Sequence, residues 1–219
     1  MSPLLNRIRR AIRRAIRGSE LTLNFWEKAA KSPDPYSVIC AGWDEKKFNT
    51  KRESIIFHPT VKLNKDLVVL DLCCGLGRLA RFIAPNIKKY IGVDFSPTMI
   101  EKAKARHQNL SNVEFIINDG LTLKEIPSTT VDLVFCEIAF QHMQKASTIS
   151  YVKEVHRILK DNGFFLAQIP RLDYYKDVYA FTKKETAKLF ANYAKTEYLQ
   201  YYLNSDEFGE AYFFVKASK

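Results

Sequence analysis

The 219-residue sequence has only four cysteines and no apolar run long enough to cross a bilayer. Cys73 and Cys74 are adjacent, and Cys40 and Cys136 stand alone, so the set lacks both the spacing of paired metal ligands and the look of a disulfide framework. We therefore predict buried thiols, no bound metal, and a reducing, cytoplasmic setting.

Acidic residues are scarce at the start of the chain. The first twenty residues contain six arginines and one acid, Glu20, and so carry half of the net charge of +10. Between Pro3 and Arg17 the apolar residues recur at helical spacing and the arginines fall on the opposite side, which predicts a basic amphipathic helix. Gly18 and Ser19 then predict a helix stop and a flexible join.

Four interpretations of this basic helix remain open. It suits an anionic membrane surface, which would give peripheral membrane contact through residues 1–17. It also suits RNA, organellar targeting, or docking on its own domain or a second subunit. We divide the chain into a leader helix (residues 1–18), a helical cap (19–65) and an α/β domain (66–219).

Strands and helices alternate through most of the third segment. Apolar runs predict strands at 67–72, 90–94, 113–117, 131–138 and 164–169, and two further strands at 196–203 and 211–216. The link between the last two strands is too short for a crossover helix, so we expect antiparallel neighbours. The predicted fold is α/β and Rossmann-like, with a seven-stranded, mostly parallel sheet, a C-terminal antiparallel hairpin and helices on both faces.

The first strand runs into a glycine turn. Gly75, Gly77 and Ala80 satisfy the loose dinucleotide pattern, which alone is weak evidence for a nucleotide site. Asp71 precedes the turn, where a carboxylate would repel a pyrophosphate but attract a ligand with positive charge. A buried acid needs a partner, and we expect a ligand to be one candidate.

Two further acids follow the next strands. Asp94 lies 19 residues after Gly75, where a carboxylate accepts hydrogen bonds from ribose hydroxyls. Asp119 ends the third strand on the same rim, and either binds an exocyclic amine or makes a turn with Gly120. Together the acids predict a ligand with a cationic part, a ribose and an amine-bearing base.

The segments VVLDLCCGLGRLA, YIGVDFSPTMIEKAK, VDLVFCEIAFQHM and YVKEVHRILKDNGFFLAQ resemble the successive motifs of the class I S-adenosylmethionine-dependent methyltransferases, in particular the small methyltransferase-domain group. One departure is the Cys73–Cys74 pair, where that family often has a small residue before cysteine. The resemblance implies S-adenosyl-L-methionine as cofactor. It places Asp71 and the Gly75–Gly77 backbone at the methionine, Asp94 at the ribose, Phe95 and Met99 at the adenine face, and Asp119 at the adenine amine. The implied cofactor-binding set is Asp71, Gly75, Gly77, Arg78, Asp94, Phe95, Met99, Asp119, Gly120 and Glu137.

Two candidate catalytic residues, Glu137 and His142, follow the fourth strand. Either could act as a general base for an acceptor that carries a proton at neutral pH, and Glu137 is also expected to help hold the methionine amine. No Asn-Pro-Pro-Tyr tetrad follows this strand, which argues against amino methylation of adenine or glutamine. The tyrosine-rich stretch 173–181 is predicted either to line an acceptor pocket or to cover the sheet edge.

The expected function is methyl transfer from S-adenosyl-L-methionine to a small-molecule, glycan or lipid-linked acceptor. An RNA methyltransferase is the first alternative. A non-catalytic, cofactor-binding subunit of a methyltransferase complex is the second.

Overall fold

A computed structural model describes residues 18–35, 56, 58–59, 61–173, 179–199 and 212–219. Outside these residues lie positions 1–17 of the predicted leader, much of the predicted cap, most of the tyrosine-rich stretch and the link between the last two strands. The elements, numbered in chain order, are α1 (Gly18–Ala30), β1 (Val68–Leu72), α2 (Ala80–Ile83), β2 (Lys89–Asp94), α3 (Pro97–Arg106), β3 (Val113–Ile117), β4 (Val131–Cys136), α4 (Lys145–Ile158), β5 (Leu159–Pro170), α5 (Lys183–Leu189), β6 (Lys195–Tyr198) and β7 (Tyr212–Ser218).

The seven strands form one sheet in the order β3-β2-β1-β4-β5-β7-β6. Strands β1 to β5 are parallel to one another, whereas β7 lies antiparallel to both β5 and β6. The predicted mostly parallel sheet and the antiparallel pairing of its last two strands are therefore confirmed. Strand β7 inserts between β5 and β6, so it alone is reversed.

Both faces of the sheet are covered, as predicted. Residues of α4 and α5 belong to the apolar core on one face, and residues of α2 and α3 belong to the core on the other face. Strands β1 and β4 lie at the centre and are almost completely buried. None of the described helices combines the length and apolar composition needed to cross a bilayer.

Capping residues set the starts of two helices as the sequence predicts. The Ser96 hydroxyl caps α3 by accepting the Met99 N–H at 3.1 Å, and Pro97 follows at the first helical position. Thr182 and Glu185 form the predicted capping box of α5.

Several predicted boundaries are wrong. Gly18 and Ser19 are the first residues of the described helix α1, so they do not form a flexible join. The helix expected near Arg78 begins at Ala80, after consecutive turns. Asp161–Gly163 was expected to separate α4 from the next strand, but β5 begins at Leu159. Residues 161–163 are accommodated within β5 by an irregularity in its pairing with β4. The register of that pairing shifts between Val131 and Leu133, and Asn162 adopts a left-handed conformation (φ 66°).

Candidate active site

A cavity of about 450 Å³ opens where the carboxyl ends of the parallel strands meet. Its volume lies in the range of small-molecule sites, about 300–1,000 Å³. The cavity brings together nine of the eleven residues predicted from the sequence: Gly75, Arg78, Asp94, Phe95, Met99, Asp119, Gly120, Glu137 and His142. The other two, Asp71 and Gly77, do not line it.

The glycine turn presents Gly75 to the cavity and Gly77 to the core. Both have left-handed backbones, with φ of 53° and 66°. A Cβ on Gly77 would lie 2.7 Å from the Phe115 ring, and one on Gly92 would lie 2.6 Å from the same ring. The turn thus rests on Phe115 of β3, a supporting residue that the sequence motifs do not reveal.

Asp94 connects the glycine turn to the start of α3. Its Oδ2 accepts the Gly75 N–H at 2.9 Å, and its Oδ1 accepts the Ser96 N–H at 3.0 Å. Burial raises the pKa of the Asp94 carboxyl, against the lowering effect of these hydrogen bonds. Asp94 lines the cavity while holding its wall in place.

The sequence predicts that Asp119 either binds an amine or makes a turn with Gly120. In the structure Asp119 makes a turn, and it also lines the cavity. Its carboxylate accepts the N–H groups of Leu121 and Thr122 and the Thr122 hydroxyl. Burial would raise the pKa of Asp119, but the hydrogen bonds from Thr122 and Leu121 outweigh it, so the pKa is lowered. Asp119 is therefore an ionised acceptor at the rim.

Arg78 and Glu137 form an ion pair on the cavity wall. The Arg78 Nη2 and Glu137 Oε2 atoms are 2.9 Å apart, and the side chains are only 12% and 6% exposed. A desolvated pair of opposite charges matches a zwitterion, whose carboxylate and ammonium could each engage one partner. The expected contact of Glu137 with an amine stays a prediction, as does its catalytic role.

Asp71 has a partner inside the protein. It is 5% exposed and lies beneath the glycine turn, where its carboxylate accepts the hydroxyl hydrogen of Tyr90. Burial raises the pKa of Asp71 to about 7, although the bond from Tyr90 and the charge of Arg78 oppose the shift. The partner of this buried acid is therefore the Tyr90 hydroxyl, a group of the protein itself.

We expect Asp71→Asn to stabilise the protein at pH 8 by about 4 kcal/mol. The unfolded carboxyl titrates near 3.9 and the folded one at about 7, so ionisation costs stability as pH rises from about 4 to about 7. An asparagine never ionises and still accepts the Tyr90 hydroxyl. Urea unfolding at pH 5 and pH 8 measures the effect, with the exposed Asp66→Asn as control. Equal stability of wild type and Asp71→Asn at pH 8 would contradict the prediction.

His142 and Trp26 also line the cavity, where their rings lie against each other. His142 lies in the 3₁₀ turn Phe140–His142, and its ring meets Trp26 edge to face, with 5.3 Å between centroids. Burial lowers the pKa of His142, so the imidazole is neutral at pH 7 and able to accept a proton.

Trp26 comes from α1, within the predicted cap. Ala29 and Ala30 of this helix bury against Leu76 and Met99, and Trp26 packs on the same cluster. The cap therefore contributes to the cavity wall at least through Trp26, while its status as a separate unit stays a prediction. Several further lining residues have no role predicted from the sequence. Leu76, Ile138, Met143 and Tyr151 lie within the quoted motif segments, whereas Trp26, Leu121, Gln144 and Ser147 lie outside them.

Glu27, next to Trp26, anchors α1 to the N-terminus of α3. Its carboxylate accepts the hydroxyl hydrogens of Ser96 and Thr98 and the Thr98 N–H at 3.1 Å. A carboxylate at a helix N-terminus also interacts favourably with the helix dipole. The helix that carries Trp26 is thus bonded to the turn that follows Asp94.

Within the described residues, no group of three His, Cys, Asp or Glu side chains could hold a metal ion. The charged and titratable side chains that line the cavity include the Arg78–Glu137 pair, Asp94, Asp119 and His142.

Comparison with known proteins agrees with this geometry. A family model described as a methyltransferase domain matches residues 69–163. Phosphoethanolamine N-methyltransferase 1 of Caenorhabditis elegans is 27% identical over 140 residues, which are 64% of this chain and 29% of that protein. Demethylmenaquinone methyltransferase of Staphylococcus aureus is 29% identical over 147 residues, covering 62% of this chain and 59% of that one. The chain spans less than two thirds of either relative.

Similar solved structures extend over most of the chain. N-methyltransferase NodS of Bradyrhizobium japonicum, in complex with S-adenosyl-L-homocysteine, superimposes with a TM-score of 0.69 at 14% identity. The match covers 90% of this chain and 98% of that one. This likeness shows a shared fold.

Proposed function

Because the chain belongs to the class I S-adenosylmethionine-dependent methyltransferases, we propose that it transfers a methyl group from S-adenosyl-L-methionine to a small-molecule acceptor. One observation carries the proposal. The strand-end acids Asp94, Asp119 and Glu137 line the same cavity as a neutral histidine, His142.

The chemistry of the cavity wall fits the cofactor. Asp94 and Asp119 offer carboxylate oxygens to ribose hydroxyls and to an amine, and Arg78 and Glu137 offer opposite charges to the amino-acid end. Phe95 and other apolar residues supply a surface for a flat base. When bound, S-adenosyl-L-methionine supplies an electrophilic methyl group on a sulfonium.

The residues beside His142 would receive the acceptor. Trp26, Met143 and Ser147 give this part of the wall a mostly apolar character, which excludes water and orients a small molecule. As the acceptor atom bonds to the methyl group it gives up its proton, and the neutral imidazole of His142 takes that proton. Because the leaving group that the cofactor would supply is a neutral thioether, the proton of the acceptor is the charge that His142 would have to take up.

The relatives support a small-molecule acceptor over the other expected classes. The names of the two curated relatives refer to phosphoethanolamine and demethylmenaquinone, which are chemically distinct small molecules. These names support a small molecule as the class of acceptor and do not identify the compound. Membrane contact through residues 1–17 and binding of nucleic acid remain hypotheses about the leader.

Calorimetry and a labelling experiment together test the function. We expect the purified chain to bind S-adenosyl-L-homocysteine with micromolar affinity and not to bind NAD, because Asp94 and Glu137 suit a ribose next to an amino acid. Incubation with methyl-labelled cofactor and a metabolite extract should then label a compound of low molecular mass.

Absence of S-adenosyl-L-homocysteine binding would refute the proposal. Label recovered only in RNA would favour the RNA methyltransferase. Binding without transfer of label to any extract component would favour a non-catalytic subunit.

A further inference from the structure

Ile138 has a backbone conformation that β-branched residues rarely adopt. Its φ is 52°, in the left-handed region, where a branched side chain is crowded by its own backbone. Four non-glycine residues in the described part of the chain are left-handed, and two of them, Cys73 and Ile138, line the cavity. Strained backbone persists only where its surroundings hold it, and it concentrates at functional sites. We therefore ask which residue holds Ile138 in this conformation.

Gln168 is that residue. Its Oε1 atom accepts the Ile138 N–H at 2.7 Å. Gln168 is 8% exposed and lies in the middle of the sheet, on β5, where it is paired with Phe214 of β7. A rigid strand thus supplies the acceptor for the strained residue, and without it Ile138 would lose this bond.

Ile138 lies in the chain between Glu137 and the turn that carries His142. Glu137 precedes it and pairs with Arg78. The turn that carries His142 follows it, closed by a 2.9 Å bond from the His142 N–H to the Ala139 carbonyl. A change in φ at Ile138 would therefore rotate Glu137 relative to His142.

From this arrangement we propose that Gln168 is a positioning residue, which holds Ile138 in its left-handed conformation and so fixes Glu137 and His142 across the cavity. The inference deepens the proposed function and rests on it. Gln168 acts through Ile138 and does not line the cavity itself.

A double-mutant cycle tests the proposal, with S-adenosyl-L-homocysteine affinity measured by calorimetry. Gln168→Leu keeps the bulk of the side chain and removes the acceptor, and we expect it to weaken binding about tenfold. Glycine adopts the left-handed conformation without strain. In an Ile138→Gly background, Gln168→Leu should therefore weaken binding less than about threefold. An equal loss in both backgrounds would show that Gln168 merely packs in the core, and would overturn the proposal.

A control and a second measurement separate this inference from the function. Asn162 is left-handed but lies outside the cavity, so an Asn162→Gly background should leave the effect of Gln168→Leu at its full size. Hydrogen exchange without ligand should show the Ile138 amide exchanging about tenfold faster in Gln168→Leu. Unchanged exchange would refute the role of Gln168. Failure of the wild type to bind S-adenosyl-L-homocysteine would instead refute the proposed function.

Discussion

Asp94→Ala is expected to weaken binding of S-adenosyl-L-homocysteine by about 10²- to 10⁴-fold. The carboxylate faces the cavity, and two hydrogen bonds from ribose hydroxyls to a charged acceptor contribute about 1.5–3 kcal/mol each. The substitution also removes the acceptor of the Gly75 N–H, which loosens the glycine turn. Calorimetric titration measures the loss directly.

Asp66 offers a control, because it lies at the opposite edge of the sheet from the cavity. It is exposed and precedes β1. Asp66→Ala should bind S-adenosyl-L-homocysteine as tightly as the wild type. Asp94→Asn, which keeps the shape and one acceptor oxygen, should fall between the wild type and Asp94→Ala. Wild-type affinity in Asp94→Ala would remove the carboxylate from the cofactor site.

His142→Gln is expected to lower turnover by about 10²- to 10⁴-fold, the contribution of a positioned general base. Cofactor affinity should change much less than turnover, because the proposed role of His142 is to take a proton from the acceptor. The measurement is the rate of methyl transfer to the acceptor found by labelling, together with calorimetry of S-adenosyl-L-homocysteine.

The dependence of the rate on pH distinguishes a base from a structural histidine. Burial lowers the pKa of His142, so the imidazole stays unprotonated as pH falls to the usual value of about 6.5 and becomes protonated only below it. The wild-type rate should therefore decline only below that pH, and His142→Gln should lack this decline. His156 is the matched control, since it contacts Tyr193 and does not line the cavity. Equal losses in His142→Gln and His156→Gln would exclude the catalytic role.

The parts of this fold that the sequence predicts well are those with short-range physical signals. Buried parallel strands appear as continuous apolar runs, so β1 to β4 were placed within a few residues of their observed bounds. Asp94 and Asp119 follow two such strands, and parallel strands place their carboxyl ends at one edge. Their convergence on one cavity therefore follows from topology.

The contacts that the sequence could not predict join distant parts of the chain. Trp26 reaches the cavity from a helix that precedes β1 by 38 residues. Tyr90 pairs with Asp71 across neighbouring strands, and Gln168 reaches Ile138 from β5. Each pairing depends on register and side-chain direction, which no local pattern encodes. The sequence therefore leaves a ligand as a candidate partner of Asp71, since the Tyr90 hydroxyl that contacts it comes from another strand.

The bonds of Glu27 to Ser96 and Thr98 give the cavity a common reference point. Trp26 is adjacent to Glu27, and Asp94 is two residues before Ser96, so the Trp26 wall and the Asp94 wall are both bonded to the first turn of α3. A displacement of that turn would move both walls in the same direction. We expect the distance between the two walls to change little even where the turn itself shifts.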